Sequence, residues 1–197
     1  MRKMNSIVIA ALAVATIGAW VAFRVHAWSP QSSGAAPSPK TNPADVGRKL
    51  RRMALTTPPQ ALGAKPTTEF PRVYAILMDW PIPDDVVTVF SSATGAASLY
   101  TTSKFGVIGG EFHERVRAAA KALVKASDQH VTAAAPTTEF PYPQEGRVRF
   151  YFVTFDGVRV IDTDLATITG GTSKYSELFE LGQAVLTELR RVTEKGK

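Results

Sequence analysis

The chain has 197 residues, with 23 basic and 17 acidic side chains, a formal net charge of +6 and no cysteine. The lack of cysteine excludes disulfides, thiol catalysis and metal sites built from thiolates. The basic excess is spread along most of the chain and no nucleic-acid-binding motif accompanies it, so we expect no nucleic-acid partner. A chain of this length suits one domain together with a targeting segment and a linker.

The amino-terminal segment predicts passage to or across a membrane. Arg2 and Lys3 precede an uncharged apolar stretch at residues 6–23. As a secretory signal, this segment offers a small-x-small cleavage site that ends at Ala27. As a single-pass membrane anchor, it has about the minimum length for an apolar helix that spans a bilayer. Residues 1–28 are therefore predicted to be a signal peptide or a single-pass anchor, with a buried helix as the third alternative. The protein is then either held at the cell membrane with its carboxy-terminal domain exported, or secreted into the periplasm or medium.

A linker separates this segment from the rest of the chain. Residues 29–43 are dominated by Ser, Pro and Ala. Such a composition buries too little apolar surface to order itself, so it predicts a flexible spacer. The remaining residues, 44–197, are predicted to form one globular domain.

A short basic helix is predicted at the start of this domain. Asn42 and Pro43 suit its first turn, and helical spacing continues to about Leu55. Its apolar face is predicted to consist of Val46, Leu50 and Met53. Its basic residues are Arg48, Lys49, Arg51 and Arg52. They fit attraction to anionic lipid head groups or another polyanion, but we favour a solvated face on a helix whose apolar side contacts the domain.

Five strands are predicted in two groups. An antiparallel meander is predicted at residues 72–80, 86–92 and 97–103. In the second group, residues 147–155 alternate between apolar and polar side chains. Asp156 and Gly157 then signal a hairpin turn that leads back along residues 158–162. The hexapeptide Pro-Thr-Thr-Glu-Phe-Pro precedes each group, at residues 66–71 and 136–141. It records an internal duplication or two similar approaches to strands.

Two long helices are predicted, one between the strand groups at residues 111–131 and one near the carboxy terminus at about residues 173–193. The stripe of the first consists of Phe112, Val116, Ala119, Ala120, Leu123 and Ser127. The stripe of the second consists of Tyr175, Leu178, Gly182, Val185, Leu189 and Val192. A helix with one apolar stripe buries that stripe against a neighbouring layer, so both helices should lie on the sheet.

These elements predict an α+β fold. We expect a two-layer domain, with one antiparallel sheet of about five strands and both long helices on one face, preceded by the amino-terminal apolar helix. The order of elements resembles that of roadblock, longin and profilin-type domains, and this resemblance implies a small platform for protein contacts. The run SLY…GVIGG…H at residues 98–113 is similar to that of uncharacterised bacterial proteins, a resemblance that implies no activity.

The glycine-rich turn at residues 105–110 is the strongest candidate for a binding site. It ends a strand and opens a helix, where backbone amides and the helix dipole can hold an anion. The residues of this candidate site are Lys104, Gly109, Gly110 and His113. The turn lacks the Lys-Ser/Thr ending of a phosphate-binding loop. The alternative is a tight connection that needs positive φ and places the two apolar residues of the turn in the core.

Other polar groups predict no defined chemistry. Asp162 and Asp164 would lie on one side of a strand, with Asp156 across the hairpin, and could hold a hard cation or act as an acid and a base. Aspartates that cap turns at strand ends are the commoner alternative. His26, His113 and His130 show no metal-ligand spacing, so we expect no metal, no cofactor and no catalytic residue.

Three functional hypotheses follow. The first is a membrane-tethered or exported, non-catalytic module that binds another protein or its own copy. The second is a sensor of a small anion or other small ligand that uses the glycine turn. The third is a hydrolase that uses Asp162, Asp164 or His113, and it has the least support.

Overall fold

Stretches rich in valine, isoleucine and aromatic residues form the strands, as their β-propensity predicts. The computed structural model describes residues 42–103 and 106–195. The strands are β1 (Val73–Ile82), β2 (Asp85–Ser92), β3 (Ala97–Thr101), β4 (Val107–Ile108), β5 (Ala135–Pro136), β6 (Arg147–Thr154) and β7 (Gly157–Asp164). They form one sheet in the order β4-β3-β2-β1-β6-β7-β5, and the pairings are antiparallel.

The predicted antiparallel sheet is confirmed, but in the described part of the chain it has seven strands rather than about five. The additional strands, β4 and β5, contain two residues each and lie at opposite edges of the sheet. Two residues are too few to show the alternation by which a strand is recognised in a sequence. The five longer strands correspond to the five predicted stretches.

Helices flank the strands along the chain. They are α1 (Pro43–Thr56), α2 (Glu114–Ser127), α3 (Leu165–Thr169) and α4 (Ser176–Lys195). The central helix is shorter than predicted because Gly110–Phe112 and Asp128–Ala133 form 3-10 turns at its two ends. Between residues 42 and 195, leaving out 104 and 105, no helix is both long and apolar enough to span a bilayer. The predicted signal or anchor at 1–28 lies outside the described residues, as does the predicted linker up to residue 41.

The sheet is covered on both faces. On one face, α2 and α4 bury Leu123 and Leu189 against a core that includes Met78 and Phe150 of the two central strands. On the other face, α1 buries Leu55 in a second cluster. The strand residues of that second cluster include Tyr74, Leu77, Phe90, Tyr151 and Val153. The domain therefore has three layers and not the predicted two. Apolar residues on both faces of β1 and β6 require cover on both sides.

Helix α1 is rotated from its predicted orientation. Met53, predicted on the apolar face, is 51% exposed. The fully buried positions are Gly47, Arg51, Ala54 and Leu55, which recur at intervals of four, three and one. The prediction that all four basic residues are solvated is wrong for Arg51, which lies on the buried face. The other three basic residues are exposed.

Phe112 departs most from its prediction. Helical spacing predicts Phe112 on the buried stripe of the central helix, but its side chain is 85% exposed. The helix begins at Glu114, and His113 before it is extended with φ −103° and ψ 118°. This extended residue takes Phe112 out of helical phase with Val116, which is buried together with Ala120, Leu123 and Ser127.

The two copies of the hexapeptide are not structurally equivalent. Phe70 of the first copy packs in the core beneath α2 and α4, whereas Phe140 of the second packs against Tyr151 on the opposite face. The hydroxyl of Thr67 accepts a hydrogen bond from the backbone of Phe70, but that of Thr137 accepts one from the residue two positions on. The structure therefore favours two similar approaches to strands over a duplicated unit.

Candidate functional site

The predicted glycine-turn site lies between the edge strand β4 and helix α2. Gly109 adopts the left-handed conformation, with φ 83°, and the carbonyl of Gly110 accepts a hydrogen bond of 3.0 Å from the backbone N–H of His113. The structure thus places these three residues within one turn. The side chain of His113 is exposed and forms no capping hydrogen bond to α2. Lys104, the fourth predicted residue, lies outside the described residues.

Packing accounts for two glycines of this turn. A Cβ atom on Gly106 would lie 1.7 Å from the carbonyl oxygen of Leu99. A Cβ atom on Gly110 would lie 2.5 Å from Cγ1 of Val116 and 2.8 Å from Cδ2 of Leu189. These distances are shorter than van der Waals contact. At Gly106 the neighbour is backbone, so the chain passes there only with glycine, whereas at Gly110 the neighbours are the ends of two side chains, which would have to shift to admit a Cβ atom. Gly106 therefore has a structural role before β4 and Gly110 has one between β4 and α2, and anion binding at this turn stays a prediction.

A shallow groove lies beside this turn. Its volume is about 320 Å³, and it is lined by Phe112, His113, Glu114, Arg115, Glu188, Arg191 and Val192. Glu188 and Arg191 form an ion pair of 2.5 Å. Phe112 is 85% exposed and Ile108 of β4 is 50% exposed. We call the region formed by these lining residues the Phe112 groove.

A buried ion pair joins α1 to the sheet. Arg51 donates two hydrogen bonds to Oδ2 of Asp79 on β1, from Nε at 3.0 Å and from Nη2 at 2.5 Å. The other oxygen of Asp79 accepts a hydrogen bond of 2.5 Å from the hydroxyl of Thr88. Burial raises the pKa of Asp79, while the guanidinium of Arg51 and the hydroxyl of Thr88 oppose that rise. The pair is thus held by hydrogen bonds to both carboxylate oxygens.

The guanidinium of Arg51 also contacts a backbone carbonyl and two aromatic rings. Nη1 donates a hydrogen bond of 2.8 Å to the carbonyl of Phe140. The ring centroids of Tyr142 and Tyr151 lie 4.2 Å and 5.2 Å from its central carbon, within the range of cation–π attraction. Arg51 therefore connects α1, β1 and the segment that follows β5.

A cleft opens above this ion pair. It has a volume of about 590 Å³ and is lined by Arg48, Arg51, Arg52, Thr138, Glu139, Phe140, Pro141 and Tyr142. We call it the arginine cleft. Arg48 forms an exposed ion pair with Asp45, and Arg52 is exposed at the opening. Apolar periodicity does not predict this site, but one residue of β1 signals it. Asp79 is the lone carboxylate in an otherwise apolar strand, which implies a buried cationic partner.

The aspartates proposed for cation binding or catalysis have structural partners. Asp162 forms ion pairs of 2.6 Å with Arg147 and 2.5 Å with Arg149. Asp164 caps the short helix α3 by accepting a hydrogen bond of 2.8 Å from the backbone N–H of Thr167. Within the described ranges, no three histidine or acidic side chains converge as metal ligands.

Asp85 is the most strongly hydrogen-bonded carboxylate at the β1–β2 turn. It accepts hydrogen bonds from the hydroxyls of Ser103 and Thr102, and from the backbone N–H groups of Val86, Thr102 and Ser103. Partial burial alone would raise the pKa of Asp85, but these hydrogen bonds outweigh it and lower the pKa to about 2. The carboxylate ties the start of β2 to the end of β3.

His130 is partly enclosed at the opposite end of α2. Its ring packs edge-on against Tyr175, with 5.3 Å between centroids, and its Nε2 atom is buried without a hydrogen-bond partner in the described structure. Burial lowers the pKa of His130, and Lys174 adds to that effect while Glu177 opposes it. The ring thus favours the neutral form.

Comparison with family models, curated proteins and solved structures gives no match for this chain. The resemblance of its element order to roadblock, longin and profilin-type domains therefore stays an expectation from the sequence. Function has to be inferred from the Phe112 groove, the arginine cleft and the chemistry of their side chains.

We expect loss of either partner of the buried ion pair to be strongly destabilising. Arg51→Met should lower the free energy of unfolding by about 3–5 kcal/mol, because Asp79 is left as an uncompensated buried charge. The loss should shrink as the pH falls, since a carboxyl group with a raised pKa takes up a proton in the folded state. Urea denaturation at several pH values measures both effects.

Two further variants control this prediction. Arg52→Met removes the neighbouring, exposed arginine and should change the free energy of unfolding by less than about 0.5 kcal/mol. The double variant Arg51→Met/Asp79→Leu removes both charges and should be more stable than the single Arg51→Met variant. A double variant less stable than the single one would contradict this account.

Gly110→Ala tests the structural role of the glycine turn. The added Cβ would meet Val116 and Leu189, so we expect a loss of about 1–3 kcal/mol in the free energy of unfolding. Combining it with Val116→Ala should give a smaller loss than the sum of the two single variants, since the shortened side chain makes room. Additive losses, measured by urea denaturation, would exclude the proposed contact.

Asp85 should contribute a pH-dependent part of the stability. Its pKa is about 2 in the folded chain and 3.8 without the native contacts, so the contribution is complete above about pH 4 and disappears as the pH falls to 2. After allowance for partial exposure, Asp85→Asn should cost about 1–2 kcal/mol at neutral pH. The difference between wild type and Asp85→Asn should then shrink below pH 4. Asp84→Asn is the control, because asparagine tolerates the left-handed φ of 64° at that exposed position.

Proposed function

We propose that this protein is a membrane-tethered or exported, non-catalytic domain that acts as a protein-interaction module, and that the Phe112 groove is its contact surface. The proposed location follows from the apolar pattern of residues 1–28, which lie outside the described structure. The proposed contact is supported by one observation above all, the 85% exposure of Phe112.

A phenylalanine side chain that stays exposed does not contribute the free energy of burial to the stability of the fold. Burying its side chain is worth about 1.5–3 kcal/mol, and the core on the same side of the sheet buries Phe150 and Phe152 completely. A single exposed apolar residue needs no explanation. Phe112, however, lies four positions from Ile108, itself 50% exposed, and it lines a groove rather than a flat surface. Aromatic side chains in such positions are the usual anchors of protein interfaces.

The contact is more consistent with side-chain packing than with strand addition. Among residues 42–103 and 106–195, β4 is an edge strand whose only paired neighbour is β3. It contains only two residues. Edge strands this short offer few backbone hydrogen bonds to an incoming strand, and natural proteins use such short edges to prevent strand addition. Most of the binding free energy would therefore come from the burial of Phe112 and Ile108.

The charges around the groove suit a second copy of the chain as the partner. The lining contains two acidic and two basic residues, Glu114, Glu188, Arg115 and Arg191. In a dimer with two-fold symmetry, each copy presents the same surface, so each acidic group meets a basic group only if both signs are present. The mixed lining satisfies this condition, whereas a groove of one sign would repel its own copy.

Replacement of Phe112 tests this function. We expect the full chain to form a dimer that Phe112→Ser weakens by at least about tenfold, because the central apolar anchor is lost. The free energy of unfolding should change by less than about 0.5 kcal/mol, since the side chain is exposed in the folded monomer. Analytical ultracentrifugation in detergent measures the first quantity, and urea denaturation of the detergent-solubilised chain measures the second.

Met53→Ser is the matched control, since Met53 is an exposed apolar residue on the opposite face of the sheet. It should leave the dimer intact. A photo-crosslinking amino acid placed at position 112 should join two copies, or join this chain to a partner protein, and the same group at position 53 should not. A monomer with no crosslink from position 112 would rule out the proposed contact surface.

A further inference from the structure

We propose that the arginine cleft binds a soluble small molecule that carries a carboxylate or phosphate group. This site is independent of the proposed contact surface, because it lies on the α1 side of the sheet, whereas the Phe112 groove is lined by residues of α2 and α4. It is also distinct from the glycine turn that the sequence favoured for an anion. Three features of the cleft support the inference: its fixed floor, its exposed cations and the wall that faces them.

The floor of the cleft is organised before any ligand arrives. Arg51 is held by Asp79, by the carbonyl of Phe140 and by the ring of Tyr142. A side chain fixed in this way loses no rotamer entropy when a ligand binds, which favours affinity. Its own charge is balanced by Asp79, so Arg51 serves chiefly to position Tyr142 and the backbone of the wall.

The cations that would attract the ligand are Arg48 and Arg52. They lie four residues apart on α1, so they project from the same side of the helix. Arg48 has an exposed partner in Asp45, a type of pair that contributes little and exchanges readily. Arg52 has no ion-pair partner within the described part of the chain. Guanidinium groups pair with carboxylate and phosphate oxygens through two parallel hydrogen bonds, which defines the ligand class.

The wall of the cleft favours a small solute over a membrane surface. The segment from Thr138 to Tyr142 faces α1 across an open cleft of about 590 Å³, a volume within the range of small-molecule sites. A flat lipid surface would contact the outermost cations of α1 equally, including Lys49, which does not line the cleft. Phe140 and Pro141 add apolar surface, so a ligand with an aromatic or aliphatic part should bind more tightly than an inorganic anion.

Glu139 gives the site an internal test, because it is the one acidic residue among the lining residues. Its carboxylate opposes the binding of an anion. Glu139→Gln should therefore strengthen binding severalfold, an effect that a merely structural role of the cleft would not produce.

Isothermal titration calorimetry of the detergent-solubilised full chain with phenyl phosphate, and separately with benzoate, tests the proposal at low ionic strength. We expect saturable binding of at least one probe, weakened roughly tenfold or more by Arg52→Gln and by Arg48→Gln. Whichever probe binds more tightly identifies the oxyanion. Lys49→Gln removes the same charge from the same helix outside the cleft and should change the dissociation constant less than about twofold.

The proposal is overturned by either of two results. The first is the absence of saturable binding of both probes to a wild-type chain that unfolds cooperatively. The second is an equal loss of affinity in Lys49→Gln and Arg52→Gln, which would indicate a general electrostatic attraction, such as that to anionic lipid. The Arg48, Lys49 and Arg52 side chains are all exposed, so these variants should retain the wild-type thermal midpoint without ligand.

Discussion

The buried ion pair between Arg51 and Asp79 joins helix α1 to the second face of the sheet. Removing two charges from water costs several kcal/mol for each ion, and only good geometry with further hydrogen bonds offsets that cost. Here Thr88 and the carbonyl of Phe140 supply those bonds. Such a pair adds little net stability compared with an apolar pair of the same size, but it is costly to break. It therefore fixes one orientation of α1 on the sheet rather than strengthening the core in general.

The orientation of α1 decides which of its basic residues are available to a ligand. With Arg51, Ala54 and Leu55 against the sheet, Arg48 and Arg52 are placed at the margin of the contact, beside the segment that contains Phe140. Rotation of α1 about its axis would change which of its arginines faces the sheet. The same ion pair thus holds the third layer in place and forms the floor of a site. A structural role for Arg51 is therefore compatible with a binding role for its neighbours.

Most of the sheet could be predicted from the sequence, because five strands have enough residues to show their periodicity. β4 and β5 could not, since pairing with β3 and β7 rather than local pattern makes them strands. The exposure of Phe112 could not be predicted from the sequence either. Helical spacing connects it to Val116, but the extended conformation of His113 breaks the phase, and no residue type at position 113 signals that break. Local periodicity fails where a 3-10 turn leads into a helix.

The arginine cleft could not be predicted from the sequence pattern for a different reason. The charges of α1 are visible in the sequence, and Gly47, Ala54 and Leu55 already outline a stripe on which Arg51 lies. When only apolar residues are counted, the spacing predicts that Arg51 is exposed and that Met53 lies on the buried face of the helix. Asp79 indicates the correct orientation of α1. It lies in a strand that is apolar on both faces, and a buried carboxylate there requires a cationic partner. Pairing these two anomalies, one on a helix and one on a strand, would have placed α1 on the second face and predicted three layers. An isolated buried charge in a predicted element thus constrains tertiary structure more strongly than another apolar residue does, since it requires one specific partner.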